Sequence, residues 1–311
     1  MCTSISSMNR TWPNFETATF QPKEILADIA VVIPTLGRPI LAECLYWMAT
    51  AEAWPAELWI IDQGGNPAVS GWIQKLQNSG LNASYIYSPK RGRSAGINTG
   101  LERVTTRFVA VTDDDCFVYP DWLWRMVEAL GESPESSITG RVDPASDDEA
   151  EFCVVTSPDP QVYFRPQLKV HPLIGGNMGV AMQSAKRIGG FDEHPSIHSA
   201  EDSDWGYRAL KLGIPIIYNP EIALRHYNWR DENQRAARYA DYARSQGAFY
   251  GKYLLSGDLL ISAQVGRSLL RAPIRWLRGL LKHDQDMIDR GRTDMLYLLP
   301  GILSGIRRRS S

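Results

Sequence analysis

The sequence predicts an α/β protein with a mostly parallel, doubly wound sheet and an amphipathic helical extension at the C-terminal end. Three observations carry that expectation. Short apolar runs rich in β-branched residues recur between residues 29 and 112. Segments with helical spacing of apolar residues separate them, and such alternation folds as a parallel sheet covered by helices. The run Phe108-Val109-Ala110-Val111-Thr112 then stops on Asp113-Asp114-Asp115. In an open α/β sheet, ligands bind outside the carboxyl ends of the strands, so this strand delivers acids to a crevice.

The elements follow in order. Residues 1–27 carry Ser, Thr, Asn and Pro without periodicity and are expected to form a flexible leader. Ile29-Ala30-Val31-Val32-Ile33 is a buried first strand, and 39–51 is helical, with Leu41, Leu45 and Met48 on one face. Leu58-Trp59-Ile60-Ile61 is a second strand. A helix marked by Trp72, Ile73 and Leu76 comes next, then a strand at Tyr85-Ile86-Tyr87 and a helix over 94–104. Residues 131–172 are polar and Pro-rich, with weak strand signals at 153–155 and 162–164; so long an irregular stretch inside a domain is usually functional. Helices are expected over 184–188 and 203–212, with an edge strand over 214–218 and helix throughout from residue 231. The expected organisation is a leader (1–27), a catalytic domain (28–230) and a helical extension (231–311).

Composition narrows the class. A hydrophobic fraction of 44% supports a sizeable core, and a pI near 6.2 argues against a general nucleic-acid binder. Charge is uneven: residues 252–311 hold 11 basic against 5 acidic side chains, and the remainder holds 22 against 30. A basic tail on an acidic body suggests an anionic partner for the tail. Cys2, Cys44, Cys116 and Cys153 are scattered and fit free thiols in a reducing cytoplasm. The polar N-terminus lacks the apolar segment of a signal peptide, and no apolar run is long enough to span a membrane.

Several chemistry-bearing clusters fall at strand ends or helix starts. They are Pro34-Thr35-Leu36-Gly37-Arg38, Asp62, the Gly-rich 91–100 segment with Arg93, Ser94 and Asn98, and the aspartate triplet. Three adjacent carboxylates repel one another, and a hard divalent cation shared with substrate phosphates relieves that. A plain acidic turn is the competing reading of the triplet alone. A Gly-rich stretch opening a helix offers N–H groups to an anion, though it is more often a simple turn. Glu201-Asp202 is a second acidic pair before a helix, where a capping role competes with general-base chemistry.

In this order the motifs resemble family 2 glycosyltransferases of the GT-A fold. "VVIPTLGR", "IIDQGG", "RGRSAGINTGL" and "VTDDDC" are similar to that family's nucleotide-sugar half. "GGNMGVAMQSAKRIGGFDE" and "AEDSDWGYRALKLG" are similar to its acceptor half. The resemblance implies an inverting, metal-dependent transfer of sugar from a UDP- or dTDP-sugar to a hydroxyl of a glycan or lipid-linked acceptor. It places Pro34, Thr35, Arg38, Asp62, Arg93, Ser94, Asn98, Asp113 and Asp114 around the nucleotide, with Asp62 on the base. Asp115 and Asp113, with His226, would hold Mg²⁺ or Mn²⁺; Asp114 stays a candidate because a triplet allows two registers. Gly175, Gly176 and Asn177 would face the donor sugar, and Trp205 could stack on the acceptor or lie in the core. Asp202 would be the base, with Glu201 beside it; His171, His194 and His198 receive no catalytic role. Two departures stand out. Ile97 and Gln63 replace an Arg and an Asp frequent in the family, so phosphate charge must come from elsewhere, with Arg93 the candidate. A sugar nucleotidyltransferase is disfavoured because the first turn lacks that class's Gly-rich loop with Arg and Lys. A non-catalytic nucleotide-sugar binder would not need Asp202.

In the tail, Arg267, Arg271, Arg275, Arg278 and Lys282 share one helical side, and Leu269, Leu270, Ile274, Trp276, Leu277, Leu280 and Leu281 the other. This basic amphipathic helix, kinked or started at Pro273, is expected to give peripheral contact with the cytoplasmic face of an anionic membrane. Packing on the catalytic domain is the alternative.

Overall fold

The computed structural model describes residues 14–145, 154–168, 173–228 and 235–308. Strands β1 (Glu24–Thr35), β2 (Ala53–Asp62), β3 (Ala83–Tyr87) and β4 (Phe108–Thr112) form a parallel half-sheet in the order β3-β2-β1-β4. Helices α1 (Leu41–Thr50), α2 (Pro67–Asn78) and α3 (Arg93–Leu101) connect them. Residues alternate between two cores: Val31, Ile33, Phe108 and Ala110 face one, while Val32, Val109 and Val111 face the other. Burial on both faces explains why these strands read as unbroken apolar runs.

Beyond β4 the sheet becomes mixed. β8 (Asn177–Ala181) is antiparallel to β4, and β6 (Ser137–Pro144) is antiparallel to β8. β9 (Ile216–His226) runs parallel to β6. Its other side pairs with β7 (Gln161–Tyr163) near its start and with β5 (Cys116–Val118) near its end. The 214–218 run is therefore not an edge strand but the start of a strand paired on both sides. β5, β6 and α4 (Trp122–Glu132) carry no separate signal in the reading above; β6 lies inside the stretch expected to be irregular. The weak signal at 162–164 is β7, whereas that at 153–155 leaves only a bridge of Val155 to Val142; Cys153 lies outside the described residues.

The leader is not loose over its described part. Phe15 and Phe20 are buried in the first core, and Lys75 donates to the Phe15 carbonyl at 2.8 Å.

Helices α5 (Met182–Ile188) and α6 (Glu201–Lys211) cover the second core. Three C-terminal helices follow, α7 (Arg235–Leu254), α8 (Leu259–Lys282) and α9 (Gln285–Arg307). Asp258 caps α8 through the N–H groups of Leu260 and Ile261, and Asp284 caps α9 through Met287. α8 runs unbroken through Pro273. A third core joins these helices to the segment before α6 and to α6 itself, through Ile197, Ala200, Tyr207, Phe249, Ile261, Leu298 and Ile302. Among the described residues, no helix is long and apolar enough to cross a membrane.

α7 and α9 approach backbone to backbone because both carry Gly-x-x-x-Gly. A Cβ at Gly301 would lie 2.2 Å from the Arg244 carbonyl oxygen, and one at Gly305 would lie 2.1 Å from that of Ala248. Gly247 and Gly251 meet Leu298 and Ile302 in the same way. Gly305→Ala should therefore lower unfolding stability by about 1–3 kcal/mol in urea titration. Gly266→Ala, on α8 where a Cβ meets nothing, should be neutral or stabilising by up to about 1 kcal/mol. Equal effects of the two would refute the close packing.

Candidate active site

The C-terminal ends of β1 and β4 and the start of α3 open on one cleft of about 560 Å³. Pro34, Thr35, Arg38, Arg93 and the three aspartates line one side. Gly175, Gly176, Glu201, Asp202 and His226 line the other.

The triplet divides by direction. Asp114 turns inward and is buried, accepting from Thr35 Oγ1 at 2.6 Å and from Arg38 Nε at 3.1 Å, with a second ion pair to Arg38 Nη2. Burial raises its pKa and the Arg38 hydrogen bonds oppose that. Asp114 thus locks the 34–38 turn to the triplet. Asp113 and Asp115 face the cleft, and their carboxylates lie with Cys116 Sγ within 4.8 Å of one another. Arg38 Nη2 holds Asp115 Oδ2 at 3.0 Å, and His226 Nε2 is 3.8 Å from Asp115 Oδ1.

Strand register delivers that histidine. β5 pairs with β9 so that Cys116 faces His226, and the Tyr227 N–H donates to the Asp115 carbonyl at 2.8 Å. Carboxylate oxygens with an imidazole fit Mn²⁺ or Mg²⁺, and the Cys116 thiol shifts the set toward the softer ion. Burial and the neighbouring Asp113 and Asp115 push the Cys116 thiol up.

Arg93 joins the two acidic clusters. It opens α3 and donates from Nε to Asp113 Oδ1 at 2.7 Å and from Nη1 to Glu201 Oε1 at 3.1 Å. Burial would lower its pKa, but Asp113 and Glu201 raise it further, so it is a permanent cation. Arg93 Nη2 and Glu201 Oε2 are buried and make no hydrogen bond among the described residues. Buried polar atoms without partners in a cleft point to a ligand that supplies them.

Glycines 175 and 176 make room for these side chains. A Cβ at Gly175 would sit 2.6 Å from Arg93 Nη1, and one at Gly176 would sit 2.7 Å from Asp113 Oδ2. Burial pushes Glu201 up to about 7, Arg93 opposes the shift and Asp202 adds to it. Asp202 is also raised, chiefly by burial, while accepting from the Ser203 N–H at 2.6 Å and the Gly175 N–H at 3.4 Å. Burial therefore favours the protonated form at both carboxyls.

Five expected site residues do not line the cleft. Trp205 is fully buried, stacks on Phe191 at 5.3 Å between centroids and donates to the Gly189 carbonyl, so it presents no face to an acceptor. Asn177 is fully buried, accepting from Trp122 Nε1 and donating to the Arg141 and Ile222 carbonyls. Asp62 is fully buried too, and accepts from the N–H groups of Gly64, Gly65 and Asn66 and from the Tyr85 hydroxyl. These bonds organise the 62–66 turn. Asn98 latches α3 to Phe191 and Glu193, and Ser94 is buried in the first turn of α3. Conversely, Gln63, Arg91, Cys116, His198, Asn228, Arg238 and Tyr242 line the cleft without having been singled out as site residues. Arg238 and Tyr242 come from α7, which lies outside the quoted family motifs, whereas Gln63, Arg91 and Cys116 fall inside them.

Comparison with known proteins agrees with this architecture. The family model described as Glycosyl transferase family 2 matches residues 30–189. Pre-mycofactocin glycosyltransferases from two strains of Mycobacterium tuberculosis are 25% identical over 162 residues, covering 50% of this chain and 34% of theirs. The match thus spans about a third of the length of those relatives. Among solved structures, the mannosyltransferase PcManGT from Pyrobaculum calidifontis, in complex with GDP-Man and Mn²⁺, superposes with a TM-score of 0.61 at 15% identity, over 96% of this chain and 92% of that one. S. aureus TarS 1–349 gives 0.55 at 13% identity, over 87% and 91%. GalNAc-T7 with UDP, GalNAc and Mn²⁺ gives 0.52 at 14%, over 73% and 50%. A family match over half of the chain shows that this protein belongs to glycosyl transferase family 2, and its GT-A fold is shared with solved glycosyltransferases.

Proposed function

We propose that the enzyme transfers a sugar, with inversion, from a UDP- or dTDP-sugar to a hydroxyl of a glycan or lipid-linked acceptor, assisted by Mn²⁺ or Mg²⁺. The observation that carries this reading is the Arg93 bridge, which sets Asp113 and Glu201 on either side of one guanidinium in one cleft. Donor and base functions need that proximity, because the acceptor oxygen must be deprotonated where the anomeric carbon is held. Asp113, Asp115 and His226 would hold the metal, with Cys116 adjacent. When bound, the ion would neutralise charge on the departing diphosphate. Arg93 Nη2 supplies a fixed cationic donor to the same group and fills the role of the family's missing arginine at Ile97. Asp202, less buried than Glu201, is the base, and Glu201 sets its protonation. Asp62 being spent in its turn, base choice falls to the residues lining that end of the cleft, Pro34, Leu36 and Gln63.

Peripheral membrane contact at the cytoplasmic face forms part of the proposal. α8 turns Ala272 and Gly279 inward and leaves Leu270, Ile274, Leu277 and Leu281 exposed at spacings of four, three and four, with Leu270 69% and Leu281 82% exposed. α9 adds Leu296, Leu299 and Leu303. Arg275 is tied to Asp294 at 2.7 Å and leaves the basic stripe, so Arg267, Arg271, Arg278 and Lys282 remain beside the apolar row. Burial and the neighbouring Arg267 and Arg275 lower the Arg271 pKa, a crowding of cations that anionic headgroups would relieve.

Four measurements test these assignments. Asp115→Ala should abolish the Mn²⁺ dependence of UDP, dTDP or GDP binding in calorimetry; unchanged metal-dependent affinity would remove the triplet from the metal site. Asp202→Asn should keep nucleotide affinity and lose turnover by about a hundredfold or more. The base must be ionised, and burial pushes its neighbour Glu201 up to about 7, so wild-type turnover should rise with pH through about 7 and fall below it. A flat profile would exclude the pair. Full-length protein should co-sediment with phosphatidylglycerol vesicles at low salt, less so as salt rises, and not with phosphatidylcholine vesicles. Leu270→Glu with Leu281→Glu should abolish sedimentation; retention by that double variant would assign α8 no membrane role.

A further inference from the structure

We propose that Lys252, on α7, is a positioning residue for the acidic pair, so that the C-terminal helices hold Asp202 in place; this rests on the base assignment above. Asp204 stands two residues after Asp202 on α6 and is completely buried. A carboxylate so placed is stable only when its charge and its lone pairs are met. Arg208, one turn later on the same helix, donates from Nε to Oδ2 at 3.0 Å. The other oxygen, Oδ1, is served from outside the helix. Lys252 Nζ and the Tyr253 hydroxyl both donate to it, the hydroxyl at 2.7 Å.

Lys252 also reaches Asp192, donating to Oδ2 at 2.8 Å. Asp192 lies in the loop between α5 and α6 and is paired at 2.7 Å with Arg308, just beyond the end of α9. The result is a chain of alternating charges, Arg308, Asp192, Lys252, Asp204 and Arg208. Its two anions belong to the catalytic half, and two of its three cations come from α7 and the end of α9. Burial alone would raise the Asp192 pKa, yet Lys252, the His194 N–H and Arg308 hold it at about 2, so Asp192 is ionised at neutral pH.

The same loop is fixed at its other side. Arg208 donates to the Ile188 and Gly190 carbonyls, and Asn98 of α3 bonds both the N–H and the carbonyl of Phe191. α3 begins at Arg93, which bonds Glu201. The first turn of α6 is therefore held from above by Arg93 and from below by Lys252. Removing Lys252 would leave Asp204 Oδ1 with the neutral Tyr253 hydroxyl and Arg208 as its one cation, unbalancing the pull on the turn that carries Asp202. Displacement of a reacting group by a fraction of an ångström costs rate without costing ligand affinity.

The test compares Lys252→Met and Lys252→Arg in the full-length chain, with Asp202→Asn alongside. Lys252→Met should keep Mn²⁺-dependent nucleotide affinity and acceptor KM within about twofold and lose about tenfold to a hundredfold in kcat. Lys252→Arg should recover part of that loss. Should Lys252→Met fail to fold, Tyr253→Phe, which removes one hydrogen bond to Asp204 and keeps the ring, should fold and lower kcat severalfold at unchanged KM. A folded Lys252→Met with wild-type kcat, beside an inactive Asp202→Asn, overturns the positioning role alone. Full activity in Asp202→Asn overturns the base assignment and this proposal with it. Ending the chain at residue 251 also removes Lys252, Tyr253 and Arg308, so a truncation that kills turnover does not report on membrane contact.

Discussion

The cleft depends on one half-buried guanidinium. Arg93 lies between Asp113, at the end of β4, and Glu201, at the start of α6, and the two acids reach it from elements far apart in sequence. Without it, carboxylates from both clusters would face one another in a poorly solvated cleft, and each would be pushed toward its protonated form. With it, the two clusters are both set and insulated. The demand propagates outward. A side chain at Gly175 would crowd the guanidinium and one at Gly176 would crowd the Asp113 carboxylate that it holds. Under the proposed roles, phosphate charge and acid–base balance rest on the same residue, and a lysine would not satisfy both carboxylates with fixed geometry.

Much of this was legible in the sequence, for physical reasons. The parallel half-sheet announces itself because its strands are buried on both faces and so become continuous apolar runs. The acidic motifs are legible because unpaired carboxylates at strand and helix ends demand an explanation. What remained hidden is non-local. β6 alternates weakly within a polar stretch, and its burial comes from β8 and β9 on either side. The approach of His226 to Asp115 follows from the register of β5 on β9, which no local pattern encodes. Asp62, Asn177 and Trp205 have the chemistry of ligand-binding residues, and the same chemistry serves a turn, a strand crossing and a core stack. Only burial separates those roles, and residue type does not report it.

The helical tail was readable as amphipathic but not as two-sided. Apolar periodicity identifies a hydrophobic row without saying whether protein or lipid covers it. Here the small residues settle the inner side. Gly247, Gly251, Gly301 and Gly305 draw α7 and α9 together, and Ala272 and Gly279 are buried on α8, so the larger leucines are left outside. A helix that packs through its glycines and exposes its leucines reverses the usual arrangement of a soluble bundle.

That inversion bears on where the catalytic unit ends. Sequence motifs stop near β9, and a boundary at residue 230 follows naturally from them. Charge balance does not stop there. Asp204 and Asp192, both on the catalytic side, are neutralised by Lys252 and Arg308 on the helical side, and a third core fuses α6 to α7 and α9. Severing the tail would leave two buried carboxylates short of cations, a cost of about 3–5 kcal/mol for each broken pair, comparable to the whole margin of a folded domain. The tail is energetically part of the catalytic domain on its inner face, and only its outer face is available for a separate task.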